Sequence, residues 1–287
     1  MHATETSTCG HFDDLRREYV ITTPLTPRPW ENRIWNDALV LQITNHGTGI
    51  VYERDHEGGF ILYNWSGHRC LYVFDRDTGR LWSPGWYPVN AELNAYECRH
   101  GIQYTIIRGE KDGVAVTWTS TVHPEHTAEL WDIRAEAADE QPHRLLIVPY
   151  YQLDLTCRDP YFGARNRYRA TAEPDNGFLF VQNDSPLRTT NRLAVGYASS
   201  RPFDRYEMGE EYFLKTYSSL ARPATVLEDR FLNSHPDRKA PCFAPGYSVT
   251  IECNRPWIAD IAVYAAASAE DARQHAASPG HRAGSKA

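Results

Sequence analysis

Along most of the chain, apolar and polar positions alternate with a period of two. The stretches ALVLQIT (38–44), LYVFDR (71–76), VTWTSTV (116–122) and RLLIVPYYQL (144–153) are rich in β-branched and aromatic residues, the composition and period of strands. Turn formers separate them. RDTGR at 76–80, EKDGV at 110–114 and PDNGF at 174–178 place Asp or Asn next to, or one residue before, a glycine able to adopt positive φ. The pattern predicts a succession of antiparallel hairpins.

Helical periodicity is almost absent. After a last strand at about 257–265, Ser268 followed by Glu270 and Asp271 predicts a helix start, with a cap oxygen and acids near the positive end of the dipole. SPGHRAGSKA (278–287) cannot continue a helix, so about two turns are expected. The other departure from hairpins, 207–245, reads as a long excursion with a short helix packed over a sheet. The expected organisation is all-β: a disordered N-terminus at 1–9, one large domain at 10–267, and the start of a helix with a disordered tail at 268–287.

Length and charge narrow the partners. The 287 residues exceed the common size of one domain, but a large all-β sandwich can use that length as a single unit. A net charge of −7 with dispersed arginines gives no basic field, so neither nucleic acid nor an anionic membrane is an expected partner. No apolar run approaches the ~20 residues of a membrane span, and MHATETSTCGHFDD lacks the basic-then-apolar pattern of a secretory signal. A cytoplasmic location is expected.

Cys9, Cys70, Cys98, Cys157, Cys242 and Cys253 are far apart in a chain large enough to build a core without staples, which predicts free thiols. His68-x-Cys70 and Cys98-x-His100 would each share a strand face, so a Cys2His2 zinc site is geometrically allowed. Structural zinc usually draws its cysteines from closely spaced turn pairs, and no metal site is assigned.

Phosphate-loop, nucleophile-elbow and zinc-protease motifs are absent, and Gly47-x-Gly49 lacks the third glycine and following helix of a dinucleotide loop. No cofactor is expected. Asp13/Asp14 and Glu210/Glu211 are adjacent residues, which point to opposite faces of a strand and cannot flank a glycosidic bond. Trp30, Trp82, Trp86, Tyr87 and Tyr96 lie in proline-rich segments where strands end. Such rings either fill the core of a large sandwich or offer flat faces to sugars, with Arg, Glu and Asn nearby for the hydroxyls.

Three longer stretches add to this. GHFDDLRREYVITTPLTPRPWEN (10–32), LYVFDRDTGRLWSPGWYPV (71–89) and YECRHGIQYT (96–105) resemble, in order and spacing, the N-terminal region of the cellobiose and chitobiose phosphorylase family, glycoside hydrolase family 94. The likeness runs over roughly 10–276. It implies a large antiparallel β-supersandwich related in fold to galactose mutarotase. In the family, a helical linker, an (α/α)6 barrel and a small β domain follow, and the barrel holds the general acid that acts while inorganic phosphate attacks the anomeric carbon. SAEDARQ resembles the linker start and HAASPGHRAGSKA departs from it, so the catalytic acid and phosphate site have no expected counterpart on this chain. Inorganic phosphate would be the co-substrate of the full-length relatives and not a cofactor here.

The resemblance implies an accessory, sugar-facing domain, with a β-linked oligosaccharide or glucoside as ligand, a barrel on another chain as partner, and homodimers as in the family. The alternatives are a stand-alone carbohydrate-binding protein and a mutarotase-like enzyme using His100 and Glu97. Trp30, Trp82, Trp86, Glu97, Arg99 and His100 are the candidates for sugar or domain contact. By pleat, Glu97 and Arg99 share one face and Cys98 and His100 the other; an ion pair on a solvated strand explains the first two equally well. RDPYFGARNRYRA (158–170) resembles the segment that reaches a neighbouring subunit's sugar, and either Arg165 or Arg167 matches its arginine. TNHGTGIVYERD (44–55) departs from the family by having fewer glycines in its loop.

Overall fold

A computed structural model describes residues 9–54, 60–64, 68–155, 167–184, 194–236, 240–266 and 268–277. They form antiparallel sheets of ten, five and four strands. The ten-stranded sheet starts at the edge strand Gly10–Asp13 and runs through Glu18–Ile21, Ala95–His100, Tyr104–Lys111, Val114–Val122 and Ala128–Ala137. It continues through Trp257–Ala265, Ala194–Ser199 and Phe178–Asn183 to Tyr168–Glu173. The five-stranded sheet has the order Arg205–Gly209, Pro241–Ile251, His143–Gln152, Arg69–Asp75 and Arg80–Trp82. The small sheet is a meander of Glu31–Trp35, Leu39–Thr44, Gly49–Arg54 and Phe60–Asn64.

Alternation explains the layers. In Val114–Val122, Val116, Trp118, Ser120 and Val122 are buried, while the intervening threonines are half-exposed. The central strands of the five-stranded sheet read differently because both of their faces are covered. Leu145, Ile147 and Tyr151 join the main core between the sheets, and Leu146, Val148 and Tyr150 join a second core on the other side. That is why LLIVPYY (145–151) carries no charged residue. The second core is closed by the helices Glu210–Leu214 and Ala224–Leu227, with Phe213 stacked on Tyr150 at 4.7 Å and 24°.

The excursion is shorter than the sequence suggests. Residues 241–245, with Pro241 and Pro245, read as the end of the excursion, yet they open the strand Pro241–Ile251, paired with His143–Gln152. Its ladder lapses at 148–150 and 244–246, where Pro149 and Pro245 sit and neither has an N–H to donate.

The expected turns form. Asp112 and Gly113 both take positive φ between Lys111 and Val114, and Gly177, at φ 66°, ends a short 3-10 turn at Pro174–Asn176. The helix Ala269–Ala277 starts where Ser268 Oγ accepts from Asp271 N at 3.1 Å. Too short to stand alone, it docks through buried Ala272, whose carbonyl accepts from Tyr264 Oη at 2.7 Å, and through Arg273, which pairs with Glu173. Among the described residues no helix is long and apolar enough to cross a membrane. Cys9, Cys70, Cys98, Cys242 and Cys253 are free thiols, and burial pushes the Cys70 thiol up to about 12; Cys157 lies outside the described residues.

On the large sheet, Asp132 and Asp260 are directly opposed partners on neighbouring strands. Partial burial and then the Asp260 charge raise the Asp132 carboxyl above its usual value. A raised carboxyl disfavours the folded state once pH exceeds the unfolded value, and the penalty is complete above the folded one. Asp132→Asn is therefore expected to stabilise the protein at pH 7 by ~0.2–1 kcal/mol, the scale of a like-charge cross-strand pair. The gain should shrink as pH falls from 7 toward the unfolded carboxyl's value of about 3.9, below which both states are protonated. Urea titrations at the two pH values check both sign and trend.

A candidate binding cleft

Three loops converge at one end of the four-stranded sheet. The first is the turn Asn45-His46-Gly47, and each of its residues is held by a separate segment. Asn45 exchanges backbone and side-chain hydrogen bonds of 2.9 Å with Trp30, and its carbonyl accepts from Tyr96 Oη at 2.6 Å. His46 Nε2 donates to the Pro24 carbonyl at 2.7 Å. Gly47 has φ 83°, and a Cβ there would lie 2.3 Å from the Trp118 ring, so that only glycine fits.

The second loop, at 83–87, presses on the first. Ser83 Oγ donates to Leu71 O at 2.7 Å, and a Cβ on Gly85 would stand 2.2 Å from His46 O. The turn closes by Trp86 N donating to Ser83 O, and it forces Trp86 to φ 70°. For a bulky residue that conformation costs ~1–3 kcal/mol and survives only where the surroundings fix it. The Trp86 ring then meets His46 at 5.3 Å, and Tyr87 Oη is hydrogen-bonded to His68 Nδ1 at 3.0 Å with the two rings 11° from parallel.

Between these loops and the segment 29–31 lies an open cleft of ≈ 380 Å³. Glu31 and Gln42, on paired strands, meet in its wall, the amide donating to the carboxylate at 2.6 Å. The Thr44 and Thr48 hydroxyls are 2.7 Å apart beside them. Burial lowers the His68 pKa, leaving a neutral imidazole at pH 7. Among the described residues Glu31 is the single carboxylate on the lining, which contains no lysine or arginine.

Beneath the cleft, Arg69 is fully buried and ion-paired with buried Glu129. Its guanidinium donates to Gly47 O at 2.9 Å and to Ser120 Oγ at 3.1 Å, and lies 5.1 and 5.0 Å from the centres of the Trp118 and Trp131 rings. Trp131 Nε1 donates to Glu129 at 2.6 Å. The charge pair thus anchors the carbonyl of the very turn that carries His46.

The residues singled out from the sequence are spread over three environments. Trp86 and Trp30 flank this assembly, half-buried, with Trp30 edge-on to Tyr19 at 5.5 Å. Trp82, expected as a contact residue, is corrected to core: it is 1% exposed and packed in the main cluster, out of reach of sugar or partner. Glu97 and Arg99 form a two-point ion pair, 2.6 and 3.2 Å, and Arg99 also holds Glu18 at 2.9 Å. This cluster ties the N-terminal hairpin to the sheet.

His100 is turned away from Glu97. Its Nε2 donates to Trp30 O (3.2 Å) and its Nδ1 accepts from Thr105 Oγ1 (3.0 Å), while burial pushes its pKa down to about 4. It is neutral at pH 7 and shares no hydrogen bond with Glu97, so the two do not form an acid–base couple. Arg167 is exposed, and Arg165 lies outside the described residues. Among the described residues no three His, Cys, Asp or Glu side chains converge on a metal position, so His68, Cys70, Cys98 and His100 do not gather into one site.

The architecture has relatives. An aldose epimerase homologue from C. elegans superposes with a TM-score of 0.51 at 9% identity, over 83% of this chain and 99% of that one. A human-microbiome protein assigned as a kojibiose phosphorylase gives 0.52 at 8% identity, over 90% of this chain and 34% of its own. At such identities the likeness establishes the fold, a galactose mutarotase-like supersandwich. The family model for the glycosyl hydrolase 94 supersandwich domain matches residues 17–279. The chain belongs to that family. N,N'-diacetylchitobiose phosphorylase of Vibrio furnissii is 29% identical over 78% of this chain, and solabiose phosphorylase of Paenibacillus borealis 26% identical over 78%. The chain spans about 30% of the length of these curated relatives. It is thus a supersandwich domain of the glycosyl hydrolase 94 type, whose relatives are glycoside phosphorylases.

Sequence reasoning missed Glu31, Gln42 and His46 as members of one site, and met His68 only as a zinc ligand. The available signal was the Asn-His-Gly turn itself, two polar side chains and a glycine between two strands.

Proposed function

We propose that this chain is the sugar-facing accessory domain of a glycoside phosphorylase. It works with an (α/α)6 catalytic barrel, in the same polypeptide or supplied by another, that splits a β-linked disaccharide with inorganic phosphate. The observation that carries this reading is the family match over 17–279 together with phosphorylase relatives of about three times the length. The side chains of this chain support the division of labour. Glu97 is held in a two-point ion pair by Arg99, and His100 is a neutral imidazole with both nitrogens engaged elsewhere, so the two are not coupled for acid–base work. The half-buried Trp30 and Trp86 and the exposed Arg167 are sequence candidates whose accessibility supports contact with a barrel or a sugar.

The test is direct. With cellobiose or N,N'-diacetylchitobiose and phosphate, the pure chain is expected to release no sugar 1-phosphate. Turnover by the chain alone would overturn its accessory role.

A further inference from the structure

We infer that the cleft between the Asn45–Gly47 turn, the 83–87 loop and Glu31 is a binding site for a neutral pyranose, separate from any site that handles phosphate. Its charge is decisive. Among the described residues the lining contains one carboxylate, Glu31, and no lysine or arginine, and burial lowers the His68 pKa. A phosphate or sugar phosphate would meet a like charge without compensation, whereas a sugar hydroxyl would meet an acceptor.

The polar groups are arranged for a diol. Glu31 offers carboxylate oxygens and Gln42 an amide locked to it at 2.6 Å, so acceptor and donor stand side by side as the adjacent hydroxyls of a pyranose require. The same lining also supplies carbon. The Tyr87 ring, fixed by its hydrogen bond to His68, and the Ile50 side chain give an apolar surface for the C–H face of the ring. At ≈ 380 Å³ the cleft is at the small end of the range for small-molecule sites, which suits one sugar unit or the end of a chain.

The cleft is also built beforehand. The Trp86 backbone at φ 70°, the contact of Gly85 with His46 O and the Arg69 bond to Gly47 O hold both loops without a ligand. Rigid walls spare the ordering cost that weakens most small sites. The inference rests on the reading of the chain as part of a carbohydrate-active protein, but it concerns binding by this chain alone. A phosphorolysis result for the whole assembly leaves it untouched, and its failure leaves the accessory role standing.

The experiment is a titration of the full chain, by calorimetry or ligand-observed NMR, with glucose, N-acetylglucosamine and their β-linked disaccharides. Saturable millimolar binding is expected for at least one of them, weakened about tenfold or more in both Glu31→Ala and Gln42→Ala. Glu31 is exposed and Gln42 half-buried, so both variants should keep the wild-type urea midpoint. Inorganic phosphate and glucose 1-phosphate are expected to leave the bound sugar in place. The inference is overturned if no sugar saturates the chain up to about 100 mM, if binding survives unchanged in both variants, or if phosphate displaces the sugar.

Discussion

Glu129→Ala is expected to be the most damaging single change in this protein, at ~3–5 kcal/mol, the scale for breaking a fully buried ion pair. Removing the carboxylate takes the Glu129 charge away from the buried Arg69 guanidinium packed against Trp118 and Trp131, and it deprives Trp131 Nε1 of its acceptor. Desolvating an unpaired charge costs more than the pair itself contributes. The double variant Arg69→Met/Glu129→Leu removes both charges together. It should lose clearly less than the sum of the two single changes, a non-additivity measured from urea midpoints. Equal losses for Glu129→Ala and the double variant would mean that packing volume, and not charge, is what this site requires.

Gly47→Ala is expected to rank second, at about 2–4 kcal/mol. Roughly 1 kcal/mol comes from a side chain at positive φ, and ~1–3 kcal/mol from forcing a methyl into a filled core. The added Cβ would lie 2.3 Å from the Trp118 ring, which is itself packed on Trp131 and Arg69 and cannot retreat. Trp118→Phe in the Gly47→Ala background should recover part of the loss by vacating that space. Because Gly47 O is the acceptor for Arg69, the same change should also shift the His46 resonances of the cleft. Wild-type stability and unshifted His46 signals in the Gly47→Ala variant would refute this coupling between core and cleft.

The sheets were legible because strand periodicity is local: Val114–Val122 announces its buried face in nine residues. The two-sided burial of His143–Gln152 was not read: RLLIVPYYQL was grouped with the alternating strands, because the elements that cover its two faces lie elsewhere in the chain. Prolines misled at 241–245, since only the pairing partner shows that Pro149 and Pro245 fall where the ladder is interrupted. Trp82 misled for the opposite reason. It ends a three-residue strand beside a Pro-Gly turn, so it reads like loop equipment, yet its pairing with Val73 points it into the core.

The cleft was hidden by distance along the chain. Glu31, His46, His68 and Tyr87 meet because Gly85 allows one loop to touch the backbone of another. Arg69 and Glu129 lie 60 residues apart and each looks, by itself, like an ordinary charged strand residue. The family resemblance identified the scaffold without indicating this arrangement, because it is carried by the stretches 10–32, 71–89 and 96–105, and Gln42, His46 and His68 lie outside them.

Whether this supersandwich serves a catalytic barrel is decided by reconstitution. The chain is mixed with a separately expressed linker-and-barrel portion of the Vibrio furnissii N,N'-diacetylchitobiose phosphorylase, and release of sugar 1-phosphate is followed together with sedimentation. No turnover is expected from either part alone, and a faster-sedimenting complex that phosphorolyses the disaccharide is expected when both are present. Turnover by this chain alone would contradict the accessory role, as would two folded parts that sediment independently and leave the disaccharide intact.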